Sequence, residues 1–297
     1  MNTFYIILTG MLVAGACSMI GCFLVLRKMA MIGDAISHAV LPGIVIAFLA
    51  SGSRDSIVMM LGASVLGLLT VFLIQLFKQS GVQTEASIGV VFTALFAVGI
   101  LLISMYASNI DLDLDCVLYG EIAYVPWNTV TIAGFDIGPK ALWLVGSMFV
   151  INLITIGMLF KQFKICSFDP ALAAAVGIPV AFFHYLLMSL VSLTTVASFE
   201  SVGAILVVGM LVVPPLTAYL LTERLSAMIA ISVIAGMLSA VSGYYIAKLL
   251  DASIAASMIT AAGGLLLLAF LFSPRHGVIG KKLRQKRALT HTAAEHG

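Results

Sequence analysis

Asp34 and His38 stand four residues apart in the stretch Gly33-Asp34-Ala35-Ile36-Ser37-His38-Ala39-Val40-Leu41-Pro42-Gly43. On a helix that spacing puts both side chains on one face. A carboxylate beside an imidazole can ligate a divalent cation such as Mn²⁺, Fe²⁺ or Zn²⁺. The flanking residues are almost all apolar, and an ionisable residue inside an apolar span marks a functional site by default. A helix starting near Lys28 would carry His38 about 15 Å along its axis, close to the middle of a hydrocarbon core about 30 Å thick. The plainer alternative is an Asp–His hydrogen bond that holds helices together. Pro42-Gly43 follows within one turn, and the proline cannot donate to the carbonyl of His38. Helices broken in this way expose backbone oxygens at membrane depth, although a simple packing kink would leave the same residues.

Other candidates are weaker. Glu200, in Ser198-Phe199-Glu200-Ser201-Val202-Gly203, falls between two apolar runs. It reads either as a residue at the headgroup level or as a further metal-contacting group on a permeation path. His184 opens an apolar run and reads as interfacial, while His276, His291 and His296 belong to a basic tail. Cys17, Cys22, Cys116 and Cys166 show no C-x-x-C spacing, and the first two read as inert buried thiols. Gly203, Gly209 and Pro214-Pro215 punctuate one run and permit close packing or a hinge. Glu223-Arg224 reads as a surface pair. With no second carboxylate dyad, no Ser/His/Asp set and no GxxxxGK[ST] phosphate loop, the sequence gives hydrolytic chemistry little support.

These residues need an apolar scaffold, and the composition supplies one. Of 297 residues 62% are hydrophobic and 9% charged, with a mean hydropathy of +1.16. A soluble chain of this length needs far more charge to cover its surface. The chain reads as an all-α, polytopic membrane protein with room for about nine spans of about 20 residues. Apolar runs lie near 4–26, 31–50, 56–77, 86–107, 139–160, 180–199, 202–221, 227–247 and 253–273. One re-entrant run would reduce the count to about eight. The first run exceeds a signal-peptide core and reads as a retained span. Residues 1–280 form a single membrane domain in this reading, and 281–297 a basic tail.

The positive residues set the orientation. If Arg27-Lys28 is cytoplasmic, the same side collects Lys78, Lys161, Lys164, Arg224 and the six tail residues Arg275, Lys281, Lys282, Arg284, Lys286 and Arg287. Arg54, Lys140 and Lys248 remain outside. The N-terminus is then external and the C-terminus cytoplasmic. Because this charge lies on no soluble face, it gives no indication of a nucleic-acid partner. The long external connection from Ser108 holds Asp111, Asp113, Asp115, Glu121 and Asp136. It lacks the central Gly and terminal Glu of a calcium loop and reads as a solvated cap, or as a weak funnel for cations.

The cytoplasmic connection 161–179 is more ordered than a linker. Asp169 can cap a short helix with Pro170 at its first position, Ala171–Val176 favour helix, and Gly177 and Pro179 end it. A capped helix there suits docking to another subunit, whereas the bland alternative is a helix resting on lipid headgroups.

The chain resembles the permease subunits of the manganese/zinc/iron ATP-binding-cassette importers from Leu26-Arg27-Lys28 to Phe272. The Gly33–Gly43 stretch carries the most specific likeness. Phe168-Asp169-Pro170 with Ala175-Val176-Gly177, and Val202–Leu206 running on to Pro214-Pro215, support it. The resemblance implies a cobalamin/iron-importer-like helical permease in a bacterial cell membrane. It also implies a second permease chain (the same or related), two cytoplasmic ATPase subunits and an external metal-binding protein. Asp34 and His38 match the family's acidic–histidine pair, and 168–179 its coupling region, with Phe168, Asp169, Pro170, Ala175 and Gly177 as the contacts. Glu200 has no such backing. Ser37-His38-Ala39-Val40-Leu41-Pro42-Gly43 is similar to the manganese branch. The resemblance implies no permanent cofactor, only a transported cation. Two other classes compete: a stand-alone proton-coupled metal carrier, and an intramembrane metalloenzyme. The docking-type segment argues against the first, and the want of a third ligand and a catalytic base against the second.

Overall fold

A computed structural model describes residues 2–51, 56–106, 122–132 and 135–273. In chain order the helices are α1 (Asn2–Leu26), α2 (Met31–Ala39), α3 (Leu41–Ser51), α4 (Ser56–Gln79), α5 (Thr84–Tyr106), α6 (Lys140–Met158), α7 (Phe160–Phe168), α8 (Pro170–Ala175), α9 (Val180–Val202), α10 (Ala204–Leu221), α11 (Leu225–Leu250) and α12 (Ile254–Phe272). With α2 and α3 taken as one span, nine segments among the described residues are long and apolar enough to cross a membrane. The sequence predicts each of them to within a few residues. Helices satisfy every backbone group internally, which hydrocarbon demands.

α1 is the central post. Val13 to Leu24 is buried without a break, with α11 and α10 on one side and α6 and α9 on others. Lipid supplies no hydrophobic drive between helices, so their association rests on close packing. Small residues permit it. A Cβ on Gly21 would run into the backbone oxygen of Leu211 and the ring of Pro215 on α10. Ser18 and Ser232 add bonds between helices: Ser18 Oγ donates to the Met210 carbonyl and Ser232 Oγ to that of Ser18, each at 3.4 Å. The main core runs from Ile6 on α1 to Met258 on α12.

Two local features depart from the sequence expectation. Within the connection after α5, a 3-10 helix (Ile122–Trp127) precedes an antiparallel hairpin of β1 (Thr129–Ile132) and β2 (Phe135–Pro139), with Thr131 opposite Asp136. The β-branched run Thr129-Val130-Thr131-Ile132 favours extended backbone. Asp111, Asp113, Asp115 and Glu121 lie outside the described residues, as does the tail 281–297. The 161–179 connection contains two helices, not one. Leu159 leaves helical geometry at φ −103° and ψ 20°, which separates α6 from α7.

Candidate functional site

The α1–α2 turn determines where the pair sits. Met29 N–H donates to the Leu24 carbonyl and Lys28 N–H to that of Val25, with Lys28 left-handed at φ 56°. This is a Schellman cap made without glycine, closed by the buried side chain of Met29. The turn occupies Arg27 to Ala30, so α2 starts at Met31 and not near Lys28. His38 therefore lies about 10 Å along its span, short of the expected midpoint.

Asp34 Oδ1 and His38 Nε2 are 3.5 Å apart, with side chains 35% and 31% exposed. The sequence expectation of a shared face holds. The opposite face of α2 is anchored in the bundle: Ile32, Ile36 and Ala39 are fully buried, and the Gly33 backbone lies against Leu211 of α10. Ser37 is buried and turns its hydroxyl back onto the Gly33 carbonyl at 2.9 Å.

One stripe of α5 backs the pair. The His38 ring lies 5.8 Å from the rings of both Phe92 and Phe96. One turn further, a Cβ on Gly99 would come within 2.9 Å of Pro42 Cδ. Positions 92, 96 and 99 share a helix face, so α5 holds the imidazole and the proline with one edge. Between α2 and α3 the backbone stays helical at Val40 (φ −69°, ψ −27°), whose N–H donates to the Ile36 carbonyl at 3.0 Å, so α2 and α3 run on as one helix past Pro42. Gly43 has a different part: its backbone lies against Gly62, where an added Cβ would meet the Gly62 carbonyl at 2.6 Å. It serves close approach of α3 to α4. The α5 stripe was not singled out from the sequence, because its members are indistinguishable from the lipid-facing residues of the same apolar run.

Among the described residues no third His, Cys, Asp or Glu joins this pair in a cluster able to hold a metal. Glu200 lies in the last turn of α9 before Gly203, where φ is 78°. Counting crossings from the α1–α2 turn, that end of α9 is at the opposite end of the bundle.

The docking-type segment forms as its residues predict. Asp169 Oδ1 accepts from Leu172 N–H at 2.9 Å and Pro170 takes the first helical position. Gly177, at φ 84°, closes α8: its N–H donates to the Ala174 carbonyl, and that of Ile178 to Ala173. Ala173 is buried against the bundle, while Phe168, Leu172 and Val176 are more than half exposed. Between α7 and the α10–α11 turn a groove of about 330 Å³ is lined by Phe160, Lys164, Phe168, Glu223, Arg224, Leu225 and Ser226. At the same end Arg27 Nε–H donates to Ser167 Oγ at 3.1 Å. Burial pulls the Arg27 guanidinium below its usual pKa and pushes the Cys166 thiol up. His184, in the second turn of α9, is half-buried with Nε2 unpartnered among the described residues.

Nine apolar spans among the described residues, an ionisable pair half-open on the second span and a capped apolar helix projecting from one end define a multi-pass membrane permease. The chain belongs to the ABC 3 transport family, whose model matches residues 2–273. It is 57% identical over 280 residues to the manganese transport system membrane protein MntD of Bacillus subtilis, covering 94% of this chain and 95% of that one. The zinc transport system membrane protein TroD of Treponema pallidum is 39% identical, over 95% of this chain and 77% of its own. Among solved structures, PsaBC from Streptococcus pneumoniae in complex with Fab superposes with a TM-score of 0.77 at 33% identity, covering 94% of each chain.

Proposed function

We propose that this chain is the permease subunit of an ATP-driven importer of divalent metal cations, with Mn²⁺ the favoured substrate. The observation that carries this reading is the Asp34–His38 pair: two ligands half-open to one side of α2, with no third completing the site among the described residues. A carboxylate within a membrane span is costly unless paired, so a half-built site suits a partner copy across a two-fold axis. Two chains would offer two carboxylates and two imidazoles, and the ion's two positive charges offset the two Asp charges. The neutral imidazoles add ligation without charge, and the absence of thiolate suits Mn²⁺ over softer-ligand metals. The relatives of this chain in manganese systems support the same choice.

The remaining assignments follow from charge and exposure. Six of the eight described Lys and Arg residues (Arg27, Lys28, Lys78, Lys161, Lys164, Arg224) fall at one end of the spans, and Lys140 and Lys248 at the other. The first end is cytoplasmic, with the N-terminus outside. On that end α8 and its flanks present Phe168, Leu172 and Val176 to one of two ATPase subunits, which hydrolyse the ATP. An external metal-binding protein delivers the ion at the opposite end, where Glu200 contacts it on entry. Residues 1–280 act as one domain and 281–297 as its cytoplasmic tail.

Reconstitution of the permease in liposomes, with and without its ATPase, tests this by following radioactive manganese and its competition by zinc. ATP-dependent uptake that needs both subunits is expected. Uptake driven by a proton gradient without any ATPase would return the chain to the stand-alone carrier class.

A further inference from the structure

We propose that the Arg27–Ser167 contact is the link that carries movement of the docking helix α8 to the metal-bearing helix α2, with Arg27 as the positioning residue. The inference rests on the functional reading above and adds a part that neither the metal pair nor α8 supplies.

Arg27 stands at the junction of both machines. Seven residues after it comes Asp34, through the hydrogen-bonded Schellman turn rather than a slack loop. Its side chain reaches the other way, donating from Nε to Ser167 Oγ at 3.1 Å. Ser167 is fixed in turn by donating to the Phe163 carbonyl at 2.7 Å, and it lies two residues before Asp169, the cap of α8. Beneath this polar contact, Phe163 stacks between Phe23 of α1 and Phe183 of α9, with ring centroids 5.5 and 5.6 Å away. The ring contacts hold α7 against α1, so a displacement of α8 passes through α7 to the α1–α2 turn.

The bonding of Arg27 is unlike that of a static surface arginine. Its guanidinium is half-buried, Nη2 is out of contact with water, and among the described residues Nη2 has no partner and no carboxylate pairs with the side chain. A buried cation held by one neutral hydroxyl is a poor way to glue two helices. The idle Nη2 donor instead leaves Arg27 free to form a second bond when the turn and α7 shift.

The test uses the reconstituted permease–ATPase complex and reads three quantities: manganese bound by the permease, ATP hydrolysed, and manganese moved per ATP. For R27A the ratio of ions moved to ATP hydrolysed should fall about tenfold, with manganese binding kept and hydrolysis changed less than about twofold. S167A should lower the same ratio less, and R27A/S167A should be no worse than R27A alone, as expected for two halves of one contact. R27K, which keeps charge without the Nε–H, should not restore coupling. An unchanged ratio in R27A and S167A, or full coupling in R27K, overturns the link. Should R27A fail to assemble, S167A and R27K decide by the same ratio. If the wild-type complex itself moves no divalent cation, the functional reading falls and the link with it. A wild type that transports beside variants that stay coupled removes only the link.

Discussion

Among the polar pairs of the described residues, two differ sharply in what surrounds them. Asn152 on α6 and Thr194 on α9 are fully buried and joined at 2.8 Å, Nδ2 to Oγ1. Asp34 and His38 lie on one helix, about a third exposed, and do not join two helices. A neutral amide can be buried at modest cost when hydrogen-bonded, whereas an ionised carboxylate cannot. The first pair ties helices together. The second is left half-open, which makes sense if something else completes it. Polarity inside a membrane bundle therefore does not define a site. Charge that stays accessible does.

The largest expected effect comes from the open pair. Asp34→Asn keeps shape and removes charge, and His38→Ala removes a ligand. Each should cut manganese uptake by at least about 100-fold, with the complex still assembled. Acid should weaken binding in the wild type, because ligand atoms that hold a metal must first lose their protons. Binding measured on the purified permease across pH checks the sign. Uptake that survives both substitutions would reduce Asp34–His38 to helix glue like its counterpart, and the comparison would collapse.

Next in size is the docking helix. Gly177→Val places a branched side chain at φ 84°, a conformation costing roughly 1–2 kcal/mol for L residues, and Ala175→Trp adds bulk at an exposed position. Both should uncouple ATP hydrolysis from transport while the Asp34–His38 pair still binds manganese, measured as ATP consumed per ion moved. Coupling that survives both variants would remove α8 from contact with the ATPase.

The difference between the two pairs was only partly legible in the sequence. Asp34 and His38 announced themselves by charge and spacing, and α8 by Asp169-Pro170 and Gly177, because caps act locally. Asn152 and Thr194 are 42 residues apart, so only the packing of α6 on α9 could join them. The same holds for Phe92, Phe96 and Gly99. In a span that is hydrophobic all round, no periodicity separates the face toward His38 from the face toward lipid. The Schellman turn was hidden because Lys28 takes the left-handed position where glycine is the usual signal. That substitution moved the start of α2 and with it the depth of the pair.

A smaller effect should follow from disturbing the backing of the pair without touching it. Gly99→Val on α5 would press on Pro42, whose Cδ lies 2.9 Å from the position of the first added carbon. The stripe through Phe92 and Phe96 would shift with it. Manganese affinity should fall about fivefold with assembly retained, measured by equilibrium binding. An unaltered affinity would mean that α2 alone positions the imidazole.

The smallest effect belongs to the buried pair, and it sharpens the comparison from the other side. Asn152→Leu removes the amide while keeping the number of side-chain heavy atoms, so it leaves no cavity and no new charge. The bond to Thr194 is lost, but Asn152 Oδ1 is already without a partner, so removal of the side chain also removes one unsatisfied buried acceptor. Helices unfolded within a membrane find other hydrogen-bond partners, which holds the net worth of such a bond to about 0.6 kcal/mol. Unfolding of the variant in mixed micelles should therefore shift by about that amount in either direction, and manganese uptake per assembled complex should equal that of the wild type. A loss of uptake comparable to that of Asp34→Asn, in complexes of normal stability, would show that the closed pair also serves the ion and that accessibility is not what separates site from scaffold.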